Sequence, residues 1–132
     1  MAKRRFSEDI LATLRGSKRL RIRAGKGTHR FIGIWVVVVN GRVFVRSWSI
    51  KPQGWYRAFL KEPHGCIQMA HREIPVRAVR TRSERVKDAV DRAYLEKYNA
   101  AGAIKYARDL VRPKCRDATI ELVPLLRSDA AI

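Results

Sequence analysis

The chain has 132 residues, of which 46% are hydrophobic, and this suffices for a core that needs no metal or disulfide staple. Cys66 and Cys115 stand in no zinc-ligand spacing, so no metal site is expected, and two lone thiols favour a reducing, cytoplasmic location. The formal charge of +17 predicts an anionic partner, either nucleic acid or a phosphorylated cofactor, unless the basic surface only aids solubility.

The first half of the chain predicts one helix and three strands. These elements cover residues 7–16 for the helix and 19–24, 31–39 and 42–48 for the strands. Arginine alternates with apolar residues over 19–24, which places Arg19, Arg21 and Arg23 on one strand face. The apolar run 31–39 is too short to span a bilayer, so no membrane partner is expected. Asn40-Gly41 is a strong hairpin signal between the last two strands.

The second half predicts a mixture of short helices and strands. These elements are a helix at 55–60, strands at 66–69 and 73–80, helices at 83–98 and 103–111, and a strand at 119–123. Short antiparallel strands joined by hairpins, with helices at the side, favour a small barrel. We therefore predict an α+β protein with a six-stranded antiparallel split β-barrel. It forms a single domain with a basic helical segment (1–18), the barrel and its helices (19–124) and a tail (125–132).

A glycine-punctuated turn at 25–30 is the first candidate ligand site. Its glycines let backbone amides approach an anion, and Lys26, Thr28 and Arg30 can donate to phosphate oxygens. An ordinary basic hairpin turn is the alternative interpretation.

Two aromatic segments are the other candidates. Arg46 and Ser47 end the third strand as a potential phosphate contact, and Trp48 can cover a ring system. Trp55 and Tyr56 open a helix and can wall a pocket, although buried aromatics mostly serve packing. No catalytic triad or paired acid and base emerges, so any chemistry requires a bound cofactor.

Several short patterns recur in an order typical of a known superfamily. They cover residues 22–30, 34–48, 54–60 and 72–79. The pattern resembles the deazaflavin-dependent nitroreductase-like proteins. It is more similar still to a bacterial group of unknown function placed with the flavin-binding split barrels, which are relatives of pyridoxamine phosphate oxidase. The match extends over about residues 19–124.

The resemblance implies a homodimeric barrel that binds flavin mononucleotide (FMN) or a deazaflavin in a cleft. Carried over by position, its cofactor-binding residues are Lys26, Thr28, Arg30, Arg46, Ser47, Trp48, Trp55 and Tyr56. The chain departs from the deazaflavin enzymes at Trp48, where a lysine often follows the serine. A tryptophan there can fill the cleft, which would leave a barrel without a cofactor.

The leading functional hypothesis is a flavin- or deazaflavin-binding protein that acts as a low-specificity reductase of a small molecule. One alternative is a basic nucleic-acid-binding module, which rests on a net charge of +8 over residues 1–30 and on the arginine stripe. The other is a non-catalytic barrel. The sequence leaves open whether the protein is an enzyme.

Overall fold

The structure is a computed structural model that describes residues 4–25, 30–48, 54–69, 72–125 and 130–131. The helices are α1 (Glu8–Gly16), α2 (Trp55–Lys61), α3 (Glu84–Lys97), α4 (Ile104–Leu110) and α5 (Pro113–Arg116). The strands are β1 (Arg5–Phe6), β2 (Leu20–Ala24), β3 (Ile32–Ile34), β4 (Val36–Val39), β5 (Arg42–Arg46), β6 (His64–Met69), β7 (Arg72–Arg80), β8 (Thr119–Pro124) and β9 (Ala130–Ala131). The α+β class predicted from the sequence is confirmed.

One antiparallel sheet dominates the fold, with the strand order β3-β2-β6-β7-β8-β5-β4. The two strands at its opposite ends, β3 and β4, are consecutive in the chain and are separated only by Trp35. The sheet must therefore curl until its two edges nearly meet, which makes it a nearly closed barrel. A separate two-stranded pairing joins β1 to β9.

The number of strands differs from the prediction of six because the apolar run 31–39 is not one strand. Its first part, β3, pairs with β2 through Leu20↔Ile34, and its second part, β4, pairs with β5 through Val36↔Val45. Periodicity cannot reveal such a break, because both halves are apolar and β-branched. The predicted Asn40-Gly41 hairpin is confirmed, and both residues have the positive φ of a type I′ turn.

The sheet buries its inner face and part of its outer face. The inner face contributes Ile22, Val45 and Leu122 to a core that is covered by α1 and by Phe59 of α2. On the outer face, residues of β4 and β5 pack against α3 and α4 in a second cluster around Phe44 and Tyr94. The two clusters fix α2 and α4 on the barrel wall. Among the described residues, none of the helices combines the length and apolar character needed to cross a bilayer.

Residues at the C-terminal end of α3 hold the junction between β3 and β4 at Trp35. The Trp35 ring stacks on Tyr98 with centroids 4.0 Å apart and planes inclined by 1°. The Tyr98 hydroxyl accepts a hydrogen bond from the Val36 amide at 3.1 Å and donates to the Lys18 carbonyl at 2.6 Å. Burial raises the pKa of Tyr98 to about 12, so the hydroxyl keeps its proton. Lys97 adds hydrogen bonds from its ammonium to the carbonyls of Leu14 and Val36 at 2.9 and 2.8 Å.

Gly65 of β6 lies directly beneath Phe59, and a Cβ atom there would come within 2.8 Å of the Phe59 ring and also meet the Arg23 carbonyl. Because backbone cannot yield as a flexible side chain does, we expect Gly65→Ala to lower the free energy of unfolding by about 1–3 kcal/mol. Urea denaturation followed by circular dichroism measures the change. Gly16→Ala is the control, since no atom lies within 4 Å of its added Cβ. Equal stability of the two variants would contradict the packing of α2 on β6.

Lys97 gives the stability a predictable dependence on pH. Burial lowers its pKa from 10.5 to about 8 in the folded protein. Between these two values the unfolded chain binds more protons, so this residue's contribution to the free energy of unfolding rises with pH from about 8 to 10.5. We expect the stability difference between the wild type and Lys97→Met to shift in favour of the wild type across that window. Urea denaturation of both proteins at pH 7.5, 9 and 10.5 measures the shift, and a constant difference would contradict it.

Candidate functional site

An open cavity of about 640 Å³ lies at one end of the barrel, beside the junction of β3 and β4. This volume falls within the range of small-molecule sites. Five segments surround it, and its lining residues are Arg19, Ile32, Gly33, Ile34, Trp35, Arg46, Ser47, Trp48, Trp55, Tyr106 and Leu110. We call this space the aromatic cavity, because all three tryptophans of the chain line it.

The aromatic walls are positioned by the elements described above. Trp48 follows β5 and meets Tyr106 of α4 edge to face, with ring centroids 5.1 Å apart. Tyr106 also contacts Trp35 edge to face at 6.4 Å. On the α2 side, Trp55 packs edge to face on Phe59 at 6.2 Å. These contacts hold the rings at defined angles around the space between them.

Several large apolar side chains at the mouth of the cavity are unusually exposed to solvent. Trp48 is 51% exposed, Ile32 42% and Tyr106 38%, and these are among the few large hydrophobic side chains that the described residues leave exposed. Clustered apolar exposure at a concave surface is typical of ligand-binding sites and interaction surfaces. The aromatic cavity is therefore the candidate functional site.

Behind the cavity, Arg46 is held by protein acceptors. Its side chain is fully buried, and its guanidinium donates to Thr119 Oγ1 at 2.8 Å and to Asp91 Oδ1 at 2.5 Å. It also donates to the carbonyls of Leu110 and Lys87, both at 2.9 Å. Most of its hydrogen-bonding capacity is thus satisfied within the fold. Arg46 fixes the end of β5 against α3 and α4.

Further charged side chains of α3 and α5 extend this network of ion pairs around Arg46 away from the cavity. Asp91 also pairs with Arg116 of α5, and Arg116 reaches Asp88 at 3.0 Å and Glu84 at 3.2 Å. Lys87 donates to Glu84 at 3.1 Å, and this hydrogen bond is the main reason why the pKa of the Glu84 carboxyl lies below its usual value. Glu84, Asp88 and Asp91 of α3 are therefore paired with cations of the fold.

The structure brings together part of the predicted site. Arg46, Ser47, Trp48 and Trp55 line the aromatic cavity. Tyr56 instead lies in the core, where its hydroxyl donates to the Asp117 carbonyl at 3.4 Å. Arg30 is exposed and is not among the residues that line the cavity, whereas Lys26 and Thr28 lie outside the described residues.

Sequence reasoning missed seven of the eleven residues that line the cavity. Three of them carry a charged or aromatic side chain: Arg19, which belongs to the predicted arginine stripe, Trp35, which lies in the predicted strand 31–39, and Tyr106, which lies in the predicted helix 103–111. For Trp35 and Tyr106, the signal available in the sequence was the aromatic side chain itself, since the predicted site residues Trp48 and Trp55 are also aromatic. Arg19 carried no local signal, because it reaches the cavity only through the pairing of β2 with β3.

Both cysteines are buried. Burial raises the pKa of the Cys115 thiol and keeps it protonated, which does not suit a nucleophile. Within the described part of the chain, no group of three or more His, Cys, Asp or Glu side chains is arranged to hold a metal ion.

The fold and cavity define an α+β barrel protein with an aromatic pocket at the junction of its two edge strands. The chain belongs to the family described as "Uncharacterized protein conserved in bacteria (DUF2255)", whose model matches residues 11–122. Its fold is similar to the crystal structure of conserved hypothetical protein Rv2991 from Mycobacterium tuberculosis. The TM-score is 0.55 and the sequence identity 12%, over 96% of this chain and 84% of that one. No curated protein matches the chain significantly.

The burial of Arg46 leads to a prediction that separates a structural role from ligand binding. We expect Arg46→Met to lower the free energy of unfolding by about 3–5 kcal/mol, since it leaves buried acceptors without their cation. Thermal and urea denaturation measure the loss. Arg112→Met is the control, because Arg112 is 74% exposed in its pair with Asp109, and we expect a change of about 0.5 kcal/mol or less. Wild-type stability of Arg46→Met would contradict the structural role.

Proposed function

We propose that this protein binds a flavin or deazaflavin in the aromatic cavity and acts as a reductase of a small molecule. The observation that carries the proposal is an open cavity of about 640 Å³ walled by Trp35, Trp48, Trp55 and Tyr106. A planar ring system of this class is apolar on both faces and gains from contact with aromatic walls. The resemblance to flavin-binding split barrels supports the same ligand class.

The position of Trp48 removes one objection to a bound ring system. A tryptophan at the end of β5 would exclude a cofactor if it filled the cavity, yet its ring leans on Tyr106 at the rim and is 51% exposed. Half of its surface is thus available for a ligand to cover. The residues that line the cavity fit a flat, largely apolar ring.

A bound flavin or deazaflavin supplies the hydride chemistry. The part of this chain is to bind and orient the ring: the indoles of Trp48 and Trp55 cover its surface, and the side chains around the cavity exclude water from it. Arg46 acts indirectly, because it holds the strand from which Trp48 emerges.

Nucleic-acid binding is the competing function, and the arrangement of the arginine stripe favours it less. Of the stripe, Arg21 is exposed, but Arg23 pairs with Glu73 at 3.3 Å and covers the Phe31 ring at 4.4 Å. Arg19 lines the aromatic cavity. An even row of cations for a phosphate backbone is therefore interrupted by an acid and an aromatic contact.

Fluorescence tests the proposal directly, because all three tryptophans line the cavity. We expect FMN or a deazaflavin to quench the tryptophan emission saturably. We expect Trp48→Ala to weaken the affinity about tenfold, which corresponds to about 1.4 kcal/mol of lost contact. N-acetyltryptophanamide at the same ligand concentrations corrects for light absorbed by the ligand.

Leu60→Ala is the matched control, since Leu60 is an exposed apolar side chain of α2 that does not line the cavity. The affinity of Leu60→Ala for FMN or the deazaflavin should equal that of the wild type. The proposal fails if neither ligand quenches saturably. Binding of a random-sequence oligonucleotide that weakens steeply with salt and is indifferent to Trp48→Ala would favour the competing function instead.

A further inference from the structure

A groove of about 280 Å³ lies between α3 and the hairpin that joins β4 to β5. We call it the hairpin groove, and its lining residues are Val39, Asn40, Arg42, Arg85, Val86, Ala89 and Arg92. Arg42 begins β5, whereas Arg46 ends that strand beside the aromatic cavity. Because a strand rises about 3.3 Å per residue, these two arginines are about 13 Å apart along β5. The hairpin groove is therefore separate from the aromatic cavity.

The acidic side chains of α3 leave two arginines of the hairpin groove without an ion pair. Asp88 stands three residues after Arg85 and four residues before Arg92, which are the spacings at which ion pairs form on a helix. Asp88 instead pairs with Arg116 of α5 at 3.0 Å, and Glu84 reaches the same arginine at 3.2 Å. In the described ranges no acidic side chain forms an ion pair with Arg85 or Arg92, and both are exposed.

The three guanidinium groups of the hairpin groove are held on rigid elements. Arg85 and Arg92 are seven residues apart, so their Cα atoms lie about 10 Å apart on one side of α3. Arg42 donates from Nε and Nη2 to the buried Glu121 carboxylate at 3.1 and 2.8 Å. This bidentate pair orients the guanidinium, and its Nη1 stays available to a further acceptor.

Apolar surface accompanies these cations. Ala89 lies between Arg85 and Arg92 on the same side of α3, and Val39 and Val86 add half-buried aliphatic side chains to the lining. None of the described residues that line the groove is aromatic, so a nucleic-acid base would find no ring on which to stack. Aliphatic surface beside arginine is instead typical of surfaces that bind another protein, where arginine is enriched.

We infer that the hairpin groove is a docking site for a short acidic segment of a partner protein, in which two carboxylates about 10 Å apart flank an aliphatic side chain. Arg85 and Arg92 each bind one carboxylate through charge-assisted hydrogen bonds, and the aliphatic side chain packs on Ala89. Charge complementarity selects this occupant, since the chain has a net charge of +17 and no acidic residue lines the groove among those described. The inference is independent of a ligand in the aromatic cavity.

Capped peptides and phosphate compounds test the inference in nuclear magnetic resonance titrations of the isotope-labelled protein, since shifts of amide peaks locate even a weak site. The acidic probe is Gly-Glu-Leu-Leu-Glu-Gly, whose two glutamates lie about 10 Å apart in an extended chain. In the neutral probe glutamine replaces each glutamate, and in the charge-only probe glycine replaces each leucine. Sodium pyrophosphate and a short oligothymidylate offer phosphate instead of carboxylate.

We expect the acidic probe to shift amides of the groove with a dissociation constant on the order of 1 mM, and the neutral and charge-only probes to bind at least about threefold more weakly. Arg85→Ala and Arg92→Ala should each weaken the acidic probe about threefold, because each removes one exposed ion pair. Ala89→Leu should abolish binding, since it fills the groove with a residue that favours helix. Arg108→Ala is the matched control, because Arg108 is an exposed arginine of α4 that does not line the groove.

The inference is overturned if the acidic probe shifts no amide of the groove, if the neutral probe binds as tightly, or if Arg85→Ala and Arg108→Ala have equal effects. Tighter binding of pyrophosphate or oligothymidylate at the same amides would also overturn it, because the groove would then be a phosphate site. Trp48→Ala should leave the affinity of the acidic probe unchanged while it weakens a ring ligand, so a failure of the hairpin groove is distinguished from a failure of the proposed function.

Discussion

Closure of the barrel through a single residue is the constraint on which the rest of the structure depends. β3 and β4 form opposite edges of one sheet, yet only Trp35 separates them in the chain. Sheet edges carry unpaired backbone groups, and bringing them together at Trp35 leaves little of either edge open to other strands. The gap at this junction also leaves the space that becomes the aromatic cavity. Stacking of Trp35 on Tyr98 then connects the junction to α3, so the site and the second core share one support.

The ion pairs show which residues leave the large positive charge of the chain unneutralised. Acidic side chains are engaged mainly by cations of the fold, as Glu121 is by Arg42 at 2.8 Å and Asp91 by Arg46 and Arg116. Ion pairs inside the fold neutralise both charges, so they contribute little to the electric field outside the protein. The field therefore comes from arginines such as Arg19 and Arg21, for which the described residues show no acidic partner. This places basic character beside the aromatic cavity, although net charge alone names no partner.

Local sequence signals sufficed to predict individual helices and strands but not how these elements assemble. Asn40-Gly41 demanded positive φ values, and Ser83 offered a hydroxyl that accepts from the Val86 amide at 3.3 Å, so the hairpin and the start of α3 were predictable. The break at Trp35 was not, because it depends on which strands lie at the sheet's ends. Burial of Arg46 was equally hidden, since its acceptors come from residues 41 to 73 positions away. The homodimer, the cytoplasmic location, the single domain and the cofactor stay predictions.

The end of β5 shows why a candidate site must be separated from the scaffold that holds it. Arg46, Ser47 and Trp48 are consecutive, and all three line the aromatic cavity. Arg46 has a side chain with no exposed surface and four protein acceptors, so removing it would disturb the fold before it disturbed a ligand. Trp48 is half-exposed, and much of its apolar surface therefore contributes nothing to folding. Since stability does not require that surface, it is the part of the strand that a ligand can use, and the loss of Trp48 tests binding with the barrel intact.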